Sequence, residues 1–176
     1  MKYLLTHQET ERLLFREVQT GDYTRWLEFF KDARSHIHWP LPMGTPDEEC
    51  TRWYENQALR YREGRGGMNA LIKKDTGELI GHAGLLVQQV DGREELEVAY
   101  SLLPEFWKQG FAIEAAFKCK TFAFENHFAK SLISIISLTN LPSQQVAVRN
   151  GMAVEKQTFY KKVPVYIFRV YAPTGL

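Results

Sequence analysis

Between Phe106 and Glu125 the chain reads FWKQGFAIEAAFKCKTFAFE. Lys108, Gln109, Gly110 and Ala112 stand at the mouth of a dense apolar run of helical character. A helix start exposes unpaired backbone N–H groups and the positive end of the helix dipole. An anion set there is stabilised, the more so when small residues let it come close. Gly110 permits that approach, Ala112 keeps the entry narrow, and Lys108 adds a positive charge. A strand, a glycine loop and a helix in that order can bind pyrophosphate. The loop is neither GxxxxGKS/T nor GxGxxG, and a plain turn before a helix would use the same residues.

Other residues with chemical capacity are less organised. His36-Ile37-His38 and His82 suggest a metal, but no third ligand follows at a convincing spacing, so no metal is expected. Cys50 and Cys119 lie in helix-like stretches without a CxxC neighbour and read as reduced core thiols. Gly64-Arg65-Gly66-Gly67 follows a helix and precedes a strand, the wrong polarity for an anion site, and reads as a turn.

The elements that must hold these residues fit one domain spanning residues 1–176. A hydrophobic fraction of 44% and a charged fraction of 24% are those of an ordinary globule. A net charge of +1 argues against a general nucleic-acid binder. No apolar run is long enough to span a bilayer, and MKYLLTHQETERL turns polar too early for a signal peptide, so a cytoplasmic, membrane-free protein is expected.

Leu13 to Val18 reads as a first strand. Thr20-Gly21-Asp22 opens a helix with Tyr23, Trp26, Leu27 and Phe30 on one face. His36 to Gly44, with Pro40 and Pro42, is a breaker loop. Thr45-Pro46-Asp47-Glu48 starts a second helix through a capping box, with Cys50, Trp53, Tyr54, Ala58 and Tyr61 as its apolar side. Met68 to Lys73, Leu79 to Gln89 and Glu95 to Leu102 form an antiparallel meander with tight turns at Asp75–Glu78 and Asp91–Glu94. A helix over Ala112 to Asn126 follows, then a central strand over Ser131 to Thr139. A short helix from Asn140 stops at Asn150-Gly151, and a last strand runs from Val163 to Tyr171. The class is mixed α/β in the order β-α-α-β-β-β-α-β-α-β.

YSLLPEFWKQGFAIEA resembles the acetyl-coenzyme A signature of the GNAT superfamily of N-acetyltransferases, with Tyr100, Leu102, Pro104, Trp107, Gln109, Gly110, Phe111, Ala112, Glu114 and Ala115 on its positions. Thr10 to Arg16 is similar to the family's opening T-x-R-L-x-L-R. Asn140 to Ser143, with Val146, Arg149, Gly151 and Met152, is similar to its N-x-x-S-x-x-V block. Together these span Thr10 to about Met152, and the subgroup most resembled is the RimJ/RimL type. Two departures stand out: Lys108 replaces a common glycine, and Ala147 replaces a tyrosine that in many members protonates the leaving thiolate. If the backbone at 108 needs positive φ, lysine carries strain there.

The resemblance implies a GNAT-like fold, a central mostly antiparallel sheet flanked by helices, and acetyl transfer from acetyl-coenzyme A to a primary amine by direct attack, with the cysteines as bystanders. The acceptor would be a protein N-terminus or a small molecule, and a homodimer is compatible with the reading. Leu102, Trp107, Lys108, Gln109, Gly110, Phe111, Ala112, Ile113, Asn140 and Ser143 would contact the coenzyme. The carbonyl would be polarised by backbone N–H groups near Leu102, where the strand is expected to leave its neighbour.

Glu97 falls on the position expected for the base, with Glu95 on its side of the strand and Leu96, Val98 and Tyr100 opposite; a solvated strand face is the competing reading. Ser143 would donate to the thiolate or supply a helix-cap hydroxyl, and Asn140 would bind the pantetheine arm or cap the same helix. Trp39, Trp53 and Tyr54 would wall the acceptor pocket or belong to the core. Tyr160-Lys161-Lys162 reads as a solvated turn, with a contact to phosphate or an acidic acceptor as the alternative. A coenzyme A-binding module without transferase activity is the rival function.

Overall fold

The computed structural model of the protein describes residues 2–38 and 44–173. The expectations for Trp39, Pro40 and Pro42 lie outside the described residues. In chain order the elements are β1 (Leu13–Glu17), α1 (Tyr23–Lys31), α2 (Pro46–Arg62), β2 (Gly66–Lys73), β3 (Glu78–Val90), β4 (Arg93–Leu102), α3 (Phe111–Glu125), β5 (Ser131–Ser137), α4 (Leu141–Arg149), β6 (Ala153–Tyr160) and β7 (Val163–Tyr171). The strands form one sheet in the order β1-β2-β3-β4-β5-β7-β6. Every neighbouring pair is antiparallel except β4 and β5.

Local chemistry explains the frame. Pro46 occupies the first turn of α2, and Thr45 and Glu48 close a reciprocal capping box. Asp91 (φ 48°) and Gly92 (φ 75°) make the two-residue turn that joins β3 to β4 and fixes Val90 opposite Arg93. On one sheet face, Leu96, Val98, Leu102, Leu132, Ile136 and Phe168 pack with Phe111, Ala115, Cys119 and Ala147 of α3 and α4. On the other, Ala70, Leu79 and Leu103 pack with Trp26, Leu27 and Cys50 of α1 and α2. His82 is fully buried there, edge-on to Trp26 and with the Trp53 ring centre 4.5 Å away. Burial pushes its pKa down to about 3, so it is a neutral core histidine at neutral pH.

Two expectations need correction. A seventh strand, β6, was not anticipated: AVEKQTFY lies at the sheet edge with most side chains in solvent, so it lacks the apolar alternation that marks a strand. The inner side of α2 also differs. Ala58 is exposed, while Gln57 and Arg60 are buried. Gln57 Oε1 accepts from the Met68 amide at 2.9 Å, and Arg60 bonds the Val87 carbonyl at 3.1 Å. Hydrogen bonding to strand ends, which apolar periodicity does not register, places that polar stripe inside.

Candidate active site

The break in the sheet is the central feature. β4 and β5 share one paired position, Glu97 with Ile133, and then part. Leu103 N–H bonds the Ile80 carbonyl at 3.0 Å, so by alternation Ser101, Ala99 and Glu97 direct their backbone groups to β3, and Leu102, Tyr100 and Val98 to the gap. Ser134 Oγ donates to the Val98 carbonyl at 2.7 Å and replaces a strand–strand bond. The strands therefore diverge just after Glu97, several residues before the point near Leu102 that the sequence suggested. The Leu102 side chain packs in the α3 core and its carbonyl accepts from Trp107 Nε1 at 2.8 Å. Its amide and that of Tyr100 face the gap.

The cleft so formed has a volume of about 170 Å³ and runs from Met68 and Ser101 to Asn140 and Ser143. Among the described residues that line it, Glu97 alone is charged. Glu97 is 8% exposed, which removes the solvated-face reading. Gln88 Nε2 donates to its Oε2 at 2.7 Å, and the Ile135 amide lies 3.4 Å from Oε1. Burial raises its carboxyl above the ordinary carboxylate range; the Gln88 and Ile135 bonds, Arg60 and Lys161 oppose that rise.

At the α4 end, Asn140 Oδ1 accepts from the Ser143 amide at 3.1 Å and is the helix cap. Ser143 sits in the first turn, lines the cleft and is not the cap. Tyr100 Oη donates to the Ser143 carbonyl at 2.9 Å, an arrangement not foreseen from the sequence. Ala147 is buried between α3 and α4 and offers no donor.

The α3 entrance lies on the sheet face opposite Glu97. Its first intrahelical bond runs from the Glu114 amide to the Gly110 carbonyl, so the amides of residues 111–113 precede the helical ladder. Gly110 (φ 85°) and Lys108 (φ 60°) are both left-handed, so lysine does occupy the strained position. Phe111 is buried and offers only its amide; Lys108 and Gln109 are exposed, Ala112 and Ile113 partly so, and Trp107 is 37% exposed.

Arg12 of the chain's first segment braces this loop. Its Nη1 donates to the Gln109 carbonyl at 2.9 Å and its Nε to Glu114 Oε2 at 2.6 Å, with the guanidinium 4.2 Å from the Phe111 ring centre. Thr10 Oγ1 completes the brace at 2.5 Å from Glu114 Oε1. Pinning the Gln109 carbonyl turns it toward Arg12. A loop with small residues, amides ahead of the ladder and a lysine fits a diphosphate, and the gap fits an extended arm laid against β4.

The other candidates line no part of the cleft. Trp53 and Tyr54 pack in the α1–α2 core. Tyr160 is half-buried, and Lys161 and Lys162 form an exposed two-residue turn. Cys50 and Cys119 are buried; burial pushes the Cys50 thiol up to about 11 and raises Cys119 as well, so neither is a ready nucleophile.

Comparison with known proteins agrees with this fold. The model of the acetyltransferase (GNAT) domain matches residues 12–153. YoaA of Bacillus subtilis, an uncharacterized N-acetyltransferase, is 25% identical over 169 residues, covering 93% of this chain and 94% of its own. The structure of an acetyltransferase from Agrobacterium tumefaciens superposes with a TM-score of 0.78 at 21% identity, covering 97% of each chain. RimL, a ribosomal-protein α-N-acetyltransferase solved with coenzyme A, superposes with a TM-score of 0.74 at 14% identity, covering 94% of this chain and 97% of its own. The chain belongs to the GNAT acetyltransferase family.

Proposed function

We propose that this chain transfers the acetyl group of acetyl-coenzyme A to a primary amine by direct attack, with Glu97 as base and Ser143 as the donor to the leaving thiolate. One observation carries the proposal: a cleft through the sheet, opened where β4 and β5 part, joins the buried Glu97 carboxylate to the Asn140–Ser143 start of α4. The acceptor arrives as an ammonium, which Glu97 attracts and deprotonates, directly or through a water. The nitrogen attacks the thioester carbonyl carbon, whose developing oxyanion meets the gap-facing amides of Tyr100 and Leu102. The C–S bond breaks, and the thiolate takes the Ser143 hydroxyl proton. The second proton shed by the attacking nitrogen passes through water to restore Ser143, and Glu97 returns its own proton to solvent. The raised thiol pKa values of both cysteines support a route without an acyl-enzyme. The acceptor class is a peptide N-terminus or a small cationic amine.

Buried Ala147, in place of a phenolic donor, favours a second reading: a module that binds coenzyme A without turnover. Thiol release from acetyl-coenzyme A, measured with ribosomal-protein N-terminal peptides, polyamines and aminoglycosides, separates the two. Thiol and acetylated amine in equal amounts are expected with at least one acceptor, and Glu97→Ala is expected to lower kcat/KM. Tight coenzyme binding with no turnover across the panel would establish the module instead.

A further inference from the structure

Arg60 of α2 is 5% exposed, yet none of its hydrogen bonds goes to a carboxylate. A buried guanidinium without a counter-charge is costly. Its Nη2 donates to Gln88 Oε1 at 2.9 Å, and Tyr160 Oη approaches the same oxygen at 3.1 Å. Two donors on one oxygen fix which way the Gln88 amide points. The amide nitrogen must then face Glu97, and it does, at 2.7 Å from Oε2. The four side chains come from α2, β3, β4 and β6, so no local sequence pattern assembles them.

We propose that Arg60, Gln88 and Tyr160 are positioning residues that hold the Glu97 carboxylate ionised and aimed at the acceptor amine. The proposal rests on the reading of Glu97 as the base. Arg60 and Glu97 act as counter-charges through the Gln88 amide, whose dipole aligns with both. The titratable groups coupled to Glu97 are Arg60 from α2, Lys161 from the β6–β7 turn, Tyr160 from β6 and, across its own strand, Tyr100. Arg60 itself also feels Arg65 and Glu63 at the end of α2. The arrangement opposes burial: desolvation favours the protonated carboxyl, which cannot take a proton from an ammonium, and the relay favours the carboxylate.

The test is a carbon-13 NMR titration of the Glu97 carboxyl, assigned by its absence in Glu97→Gln, beside the pH profile of kcat/KM. Gln88→Leu and Arg60→Met are expected to raise the titration midpoint by about one pH unit or more, as loss of a hydrogen bond or counter-charge does. Tyr160→Phe is expected to give a smaller rise, and Arg60→Lys to fall between parent and Arg60→Met. The acid limb of kcat/KM should move with the midpoint in each variant. Midpoints that stay at the parent value would overturn the relay. Midpoints that rise while the acid limb stays fixed would uphold the relay and remove Glu97 as the base. Should Arg60→Met fail to fold, Gln88→Leu and Tyr160→Phe, which strip no buried charge, decide the matter.

Discussion

At φ 60° Lys108 holds a backbone conformation that glycine adopts freely and L-residues resist. Lys108→Gly is expected to raise unfolding stability by about 1 kcal/mol, the usual left-handed penalty, read by thermal melting. The same change removes a cation from the α3 entrance, so the KM for acetyl-coenzyme A is expected to rise. A variant that melts higher with unchanged KM would mean the lysine does not meet the diphosphate. Glu97 carries a different signature. Its folded pKa is raised above the ordinary 4.5, so in the window between the two values the folded chain keeps a proton that the unfolded chain has released. Its contribution to stability is present below pH 4.5 and is lost as pH rises from there through the raised folded value. Glu97→Gln is expected to abolish that slope, so chemical denaturation across pH should show the difference from the parent drifting in the variant's favour over the same window. A pH-independent difference would show that Glu97 does not change its proton on folding.

Among the elements, α4 separates capping from chemistry. Asn140 supplies the cap and Ser143 lines the cleft. Asn140→Ala is therefore expected to cost about 1 kcal/mol of stability, while Ser143→Ala should leave melting nearly unchanged and lower kcat. If Ser143→Ala lost stability and kept kcat, the donor assignment would fall. The elements were legible in the sequence where side chains answer local rules. Thr45-Pro46-Asp47-Glu48 announced the start of α2, Asp91-Gly92 announced the β3–β4 turn, and Val163 to Tyr171 read as a strand with the bounds it has. β6 was illegible because an exposed edge strand does not need a buried face. The start of α3 could be read because its glycine and the apolar run after it lie in consecutive residues. The partners of Glu97 could not, because Arg60, Gln88 and Tyr160 meet only after α2 packs on the sheet and β6 closes its edge.

For the whole molecule, a single paired position links the half-sheet β1–β4 to the half-sheet β5–β7. Other ties include the α3 crossover, the core beneath it, the packing of Val90 with β5 and β7, and side-chain bridges such as Ser134 to Val98. An extended arm laid in the gap would bond the Tyr100 and Leu102 amides and add apolar contact to both halves. Coenzyme A is therefore expected to slow hydrogen exchange at Tyr100 and Leu102 and to raise the melting temperature with its concentration. Protection confined to residues 108–113 would mean that the arm lies elsewhere. The split sheet has a consequence for the working cycle. Each turnover would alternate between a loaded, stiff molecule and a slack one in which the two leaves move more independently, so the rhythm of acyl supply would be written into the protein's rigidity whatever amine it serves.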